Sequence, residues 1–198
     1  MRIGLLGGSF DPPHTGHLLV AGDAFEALAL DRLLFIPAAV QPLKVGQIGA
    51  TPAQRLEMVR RLIDGDPRFE ADSVEIDRGG LSYTVDTLST LVARWPGAEL
   101  FWLVGADVSR TFGKWREPGR IAELATLVVM QRPGTDLDDL GSAMPETTRV
   151  LQTRRIDISS TEVRQRVAEG KSIRGFVPEA VAEFIADQAL YSDREANA

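Results

Sequence analysis

Residues 1–25 read "MRIGLLGGSFDPPHTGHLLVAGDAF", and this stretch decides the fold. "RIGLLG" (2–7) is a short apolar run ending in glycine, the pattern of a buried strand. "GHLLVAGDAFEALAL" (16–30) sets Leu18, Ala21, Phe25, Leu28 and Ala29 at helical spacing. Between strand and helix lies a loop that holds both histidines of the chain, His14 and His17.

The same alternation continues outward. "DRLLFIPA" (31–38) reads as a second strand. "TPAQRLEMVRRLI" (51–63) reads as a helix with Thr51 as N-cap, Pro52 in the first helical position, and Leu56, Val59 and Ile63 on one face. "FEADSVEID" (69–77) alternates as a strand does, and "SYTVDTLSTLVARW" (82–95) reads as a helix. Strands follow at "ELFWLVGAD" (99–107), "ATLVVMQRPG" (125–134) and "RVLQT" (149–153). "SSTEVRQRVAEG" (159–170) is a helix closed by Gly170, and "VPEAVAEFIADQALY" (177–191) is the last helix. The pattern predicts an α/β fold: a Rossmann-like, doubly wound, mainly parallel sheet with helices on both faces. One domain is expected over residues 1–191, with a polar tail at 192–198. The acidic, turn-rich segment 134–148 reads as a surface excursion.

Composition narrows the function. The 198 residues are 44% hydrophobic and 25% charged, ordinary for a globular protein. Without cysteine there is no disulfide and no thiolate chemistry. A net charge of −6 argues against nonspecific nucleic-acid binding. The first apolar run, Ile3 to Leu6, is interrupted by Gly4, too short for a signal peptide. No run approaches the ~18 residues of a membrane span. A cytoplasmic protein is expected, with neither nucleic acid nor membrane as partner.

In doubly wound sheets, ligands bind outside the C-terminal ends of the strands, where "GGSFDPPHTGHL" (7–18) is expected to lie. It is neither a dinucleotide fingerprint nor a Walker A loop. Gly7 and Gly8 permit close backbone approach to a ligand. Pro12 and Pro13 stiffen the loop. Gly16 removes a side chain between the histidines. If a helix begins near Pro13, His14 and His17 share a face at its N-terminus, where free N–H groups and the helix dipole favour an anion. Zinc is the competing ligand, but only carboxylates such as Asp11 could complete its shell. No metal site is expected.

A second pattern lies near the other end. In "ISSTEVR" (158–164), Ser159 and Glu162 form the S-x-x-E of a capping box, which puts Ser160 in the first helical turn and Arg164 about one turn on. A helix N-terminus beside a hydroxyl and a guanidinium suits phosphate; a well-capped helix with an exposed arginine is the plainer reading.

Taken together, "GSFDPPHTGH" (8–17) and "ISSTEVR" resemble the two signatures of the H-x-G-H nucleotidyltransferases. The finer resemblance is to the bacterial nicotinate-nucleotide adenylyltransferases, over nearly the whole chain. It is carried by "IPAAVQPLK", "SYTVDTL", "FWLVGAD", "KWREP", "VVMQRPG" and "FVPEAVAEFI" in family order. One departure is Arg116 after Trp115, where members often carry an aromatic residue or histidine.

The resemblance implies transfer of AMP from ATP to nicotinate mononucleotide, giving deamido-NAD and pyrophosphate, with Mg²⁺ entering with ATP. It implies that His17 contacts the α-phosphate and that His14 assists. Lys44 and Arg164 would meet phosphates, and Gly8, Ser9, Phe10, Gly16, Gly105, Asp107, Ile158, Ser159 and Ser160 would line the ATP site. Tyr83, Thr84 and Trp115 would receive the pyridine side. The attacking phosphate is already an anion, so the chemistry asks for positioning and charge stabilisation more than for a strong base. A pantetheine-phosphate adenylyltransferase and a non-enzymatic nucleotide sensor share the signatures. The length and the "SYTVDTL" and "KWREP" blocks oppose the first, and the retention of both histidines and Arg164 opposes the second.

Overall fold

In the computed structural model the described residues are 1–40, 49–106, 110–131 and 144–192. Their strands are β1 (Arg2–Gly8), β2 (Arg32–Pro37), β3 (Phe69–Ala71), β4 (Glu99–Gly105), β5 (Thr126–Gln131) and β6 (Arg149–Gln152). They form one sheet in the order β3-β2-β1-β4-β5-β6, and every neighbouring pair is parallel. This is the doubly wound order, in which the direction of winding reverses between β1 and β4.

Alternate residues of each strand feed opposite faces. Leu6, Leu33, Phe35, Phe101, Leu103 and Val128 pack on one side. Ile3, Leu5, Leu34, Ile36, Trp102, Leu127 and Val129 pack on the other. β1, β2, β4 and β5 are buried on both faces, which is why they read as unbroken apolar runs. The first face is covered by α1 (Thr15–Ala27), α2 (Pro52–Ile63), α6 (Ser160–Ala168) and α7 (Glu179–Asp187). The second is covered by α3 (Val74–Arg78), α4 (Thr84–Arg94) and α5 (Pro118–Leu124). Leu88 and Leu91 of α4 are wholly buried there; truncating either to alanine would cost about 2–5 kcal/mol.

The cap of α2 follows the sequence. Thr51 Oγ1 accepts the Gln54 N–H at 3.3 Å, and Gln54 Oε1 accepts the Thr51 N–H at 2.9 Å. Other boundaries differ from the sequence reading. β3 ends at Ala71, not Asp77. Asp72 Oδ1 accepts the Val74 N–H at 2.9 Å, and that turn starts α3 instead. α1 stops at Ala27, short of the expected Leu30, because Leu30 N–H bonds Phe25 O and Ala29 N–H bonds Glu26 O. This closing motif usually uses glycine, but here Ala29 takes the left-handed conformation, at φ 47°. The same pairing at Leu190 and Ala189 ends α7 at Asp187. α5, and the single 3₁₀ turn Phe112–Lys114 before it, lie where no helix was expected. Among the described residues no helix is long and apolar enough to cross a membrane.

Candidate active site

At the β1/β4 reversal the loop after β1 and the start of α6 enclose a cavity of about 550 Å³. Gly8 lines it from the end of β1, Ser9, Phe10 and His14 from the loop, Gly16 and His17 from the first turn of α1, Gly105 from the end of β4, and Ile158, Ser159, Ser160 and Arg164 from the second motif. Two sequence patterns almost 150 residues apart therefore share one wall. Direct bonds join them: Ser160 Oγ donates to Pro12 O at 2.8 Å, and Arg164 Nη1 donates to Asp11 O at 2.7 Å.

His14 is the N-cap of α1, and its extended backbone lets His17 reach back. The His14 N–H donates to His17 Nδ1 at 3.1 Å, and the two rings lie 3.8 Å apart between centroids. With Nδ1 accepting, the neutral ring carries its proton on Nε2. Burial, and then the neighbouring His14, hold the His17 pKa well below the ordinary imidazole value. His17 is thus a neutral Nε2–H donor at pH 7. Gly16 is small for a spatial reason: a Cβ there would meet His14 Nδ1 at 2.9 Å and Ile156 Cγ2 at 3.1 Å. Phe10, left-handed at φ 51° and buried, sets its ring edge-on to His17 at 5.0 Å.

The N-terminus of α1 is less open than its sequence suggests. Thr15 N–H is taken by Phe176 O at 2.8 Å and His17 N–H by His14 O at 2.9 Å. The capping box at α6 is half formed. Ser159 Oγ accepts the Glu162 N–H at 3.1 Å, without a return bond from the Glu162 side chain. The Ser160 hydroxyl serves the Pro12 carbonyl, so what Ser160 presents to a ligand is its backbone. Arg164 commits two of its five N–H donors, to Asp11 O and to Thr161 Oγ1 at 3.3 Å.

Asp11, which the sequence offered only as a carboxylate for a zinc shell, and Arg55, which it did not single out, hold this wall in place. Arg55 is 1% exposed and donates to Ser9 O, Ala38 O, Ala39 O and Ala50 O. Asp11, 3% exposed, accepts from Gly49 N–H, Ala50 N–H and the Tyr191 hydroxyl. Asp11 is the one carboxylate among the described lining residues, set against the cations Arg154 and Arg164. Arg154, also missed, is paired with Asp23 at 2.6 Å. Among the described residues no group of three or more His, Cys, Asp or Glu side chains could hold a metal ion.

Tyr83, Thr84 and Trp115 do not line this cavity. Tyr83 is the N-cap of α4 and Thr84 its first residue. Trp115 is partly buried beside Phe112, at 5.5 Å between ring centroids, and its Nε1–H donates to Thr111 Oγ1 at 3.2 Å. The two segments meet through Arg116, whose guanidinium lies 5.0 Å over the Tyr83 ring and 3.5 Å from Asp86 Oδ2. Lys44 and Asp107 lie outside the described residues, as do residues 132–143 and 193–198.

Residues 5–166 match the family model described as cytidylyltransferase-like. A relative from Gemmatimonas aurantiaca, named a probable nicotinate-nucleotide adenylyltransferase, is 52% identical over 98% of this chain and 93% of its own. One of the same name from Thermus thermophilus is 47% identical over 96% of this chain and 100% of its own. The fold matches that of the Plasmodium falciparum nicotinic acid mononucleotide adenylyltransferase complexed with NaAD. That match has a TM-score of 0.78 and 17% identity and covers 96% of this chain and 97% of that one.

Proposed function

This chain belongs to the cytidylyltransferase-like family and, within it, to the nicotinate-nucleotide adenylyltransferases, and from that membership we propose how its cavity works. The enzyme transfers AMP from ATP to nicotinate mononucleotide, a step of NAD biosynthesis that yields deamido-NAD and pyrophosphate. A phosphate oxygen of the mononucleotide attacks the α-phosphorus of ATP. The new P–O bond forms as the bond to the β-phosphate oxygen breaks, and pyrophosphate leaves with that electron pair.

His17 gives its Nε2 proton as a hydrogen bond to the α-phosphate oxygens, where negative charge gathers in the transition state. His14 stands beside it at the phosphates. Arg164 and the backbone at Ser159 and Ser160 receive the β- and γ-phosphates. Gly8, Ser9, Phe10 and Gly16 form the floor, while Gly105, Asp107 and Ile158 meet the adenosine. Lys44 supplies a further cation. Mg²⁺ enters as part of the MgATP substrate, held by phosphates and water. The Asp11 oxygens, engaged by Gly49, Ala50 and Tyr191, fit no metal role. The pyridine ring lies toward Trp115 and the start of α4 at Tyr83 and Thr84. We take residues 1–191 as one catalytic domain acting in the cytoplasm.

The observation that carries this reading is the joining of the two motifs across one cavity, through Ser160 to Pro12 and Arg164 to Asp11. Purified protein with MgATP should release pyrophosphate with nicotinate mononucleotide, and faster than with nicotinamide mononucleotide or phosphopantetheine. Faster turnover of phosphopantetheine, or none of any acceptor, would overturn it.

A further inference from the structure

The last turn of the described chain reaches into the first loop. Tyr191 follows α7 with its backbone in the left-handed region, at φ 61°. A bulky residue stays there only where its surroundings fix it. Its ring packs on Gly49, where an added Cβ would meet Tyr191 Cδ1 and Cε1 at 3.2 Å. Its hydroxyl donates to Asp11 Oδ1 at 2.7 Å. Burial, and then the Asp11 carboxylate, push the phenol's ionisation up, so it remains a donor.

The Asp11 carboxylate therefore has three donors: Tyr191 and Ala50 on Oδ1, at 2.7 and 3.0 Å, and Gly49 on Oδ2, at 2.9 Å. A fourth candidate stands just beyond bonding reach. Arg164 Nη1 lies 3.9 Å from Oδ2 while bonding the Asp11 backbone oxygen at 2.7 Å. A buried carboxylate that loses a donor draws in the nearest replacement. Here that replacement is the guanidinium assigned to the ATP phosphates.

We propose that Tyr191 is a positioning residue for ATP: by satisfying Asp11, it keeps the Arg164 guanidinium from closing onto that carboxylate and leaves it available to the triphosphate. This rests on the role given to Arg164 above. It predicts an effect on ATP, carried through Arg164, from a residue outside the cavity lining.

The test is a double-mutant cycle on the full chain, with steady-state kinetics and melting temperatures. Tyr191→Phe keeps the ring on Gly49 and removes only the hydroxyl. It should raise the KM for ATP roughly three- to tenfold, the worth of one hydrogen bond. The KM for nicotinate mononucleotide should stay within about twofold, a margin close to cycle error. In an Arg164→Ala background the same change should move the ATP KM less than about twofold, although it lowers the melting temperature in both backgrounds. In an Asp11→Asn background, where no charge draws Arg164, its effect on ATP should also vanish. An unchanged ATP KM in Tyr191→Phe, beside a clear effect of Arg164→Ala, overturns the Tyr191 proposal alone. Equal increases in both Arg164 backgrounds do the same, by reducing Tyr191 to a structural role. An Arg164→Ala enzyme with wild-type ATP KM overturns the phosphate role of Arg164, and this proposal with it.

Discussion

The backbone N–H of His14 holds Nδ1 of His17 at 3.1 Å and so fixes which nitrogen of His17 carries a proton. A bond from the N-cap of α1 to its first turn makes His17 a hydrogen-bond donor and not a base. His17→Ala should fold, because the ring stands on the cavity wall, and kcat should fall roughly 10²–10³-fold, the usual loss of a transition-state donor. The KM for ATP should change much less. Activity within about threefold of wild type would refute the phosphate role.

The burial of His17 has a pH consequence. The native pKa of His17 is lowered, chiefly by burial, while the unfolded chain titrates near about 6.5. Between those values the unfolded state binds a proton that the native ring does not, so stability falls as pH falls through that window. Urea unfolding of wild type and His17→Gln between pH 5 and 8 should show a shallower acid-side loss in the variant.

Arg164→Ala should weaken ATP more than the mononucleotide. Charge-assisted hydrogen bonds lost from a phosphate are worth about 1.5–3 kcal/mol, a rise in the ATP KM of roughly tenfold to a hundredfold. Steady-state kinetics with each substrate varied in turn decides it. Equal weakening of both would place Arg164 elsewhere.

Much of this was legible in the chain because its signals are local. Apolar runs gave strands buried on both faces, and the neighbouring Thr51 and Pro52 marked the start of α2. What escaped the sequence depends on distance. Asp11 and Tyr191 are 180 residues apart, and Arg55 reaches Ser9 over 46; no window shows such a bond. Nothing in the sequence sets Arg55 apart from the other arginines, yet it is among the most buried side chains of the fold. The ends of α1 and α7 were misjudged because alanine does a turn's work without glycine's mark. α5 was missed because "EPGR" reads as a turn, while Pro118 stands in the first turn of a helix.

Glu75 tests the support behind the acceptor side. It is 4% exposed, and its Oε1 accepts from Thr87 Oγ1 at 2.7 Å. Burial raises its pKa despite the bonds from Thr87 and Ser82. Between the unfolded value and that raised native value, the folded state binds the extra proton, so this carboxyl's contribution is lost as pH rises through the window. Glu75→Gln copies the protonated form. It should raise the melting temperature at pH 7 and converge with wild type below about pH 4.5, near the ordinary glutamate value. A variant less stable than wild type at pH 7 would mean that the charge is balanced by Arg78 and Arg55.

The pyridine side asks for a flat face and N–H donors for a carboxylate. Trp115 offers the face, packed on Phe112 with part of its surface open. In the proposed site the start of α4 supplies the donor at Thr84, the Tyr83 N–H being taken by Leu81 O at 3.2 Å, and the helix dipole favours nicotinate over neutral nicotinamide. Arg116 bridges the two segments by lying over Tyr83 while touching Asp86 only at 3.5 Å. Nicotinate mononucleotide should quench tryptophan fluorescence. Trp102 belongs to the core cluster against which both Trp115 and Trp95 pack, so the quench must be assigned. Trp115→Phe should abolish it if Trp115 is the face. Trp115→Ala should raise the KM for nicotinate mononucleotide roughly tenfold, from about 0.5–1.5 kcal/mol of stacking plus lost buried area. The KM for ATP should stay nearly unchanged. A Trp115→Ala protein that unfolds, loses ATP equally, or keeps its full quench would show that this indole serves the Phe112 core and not the substrate.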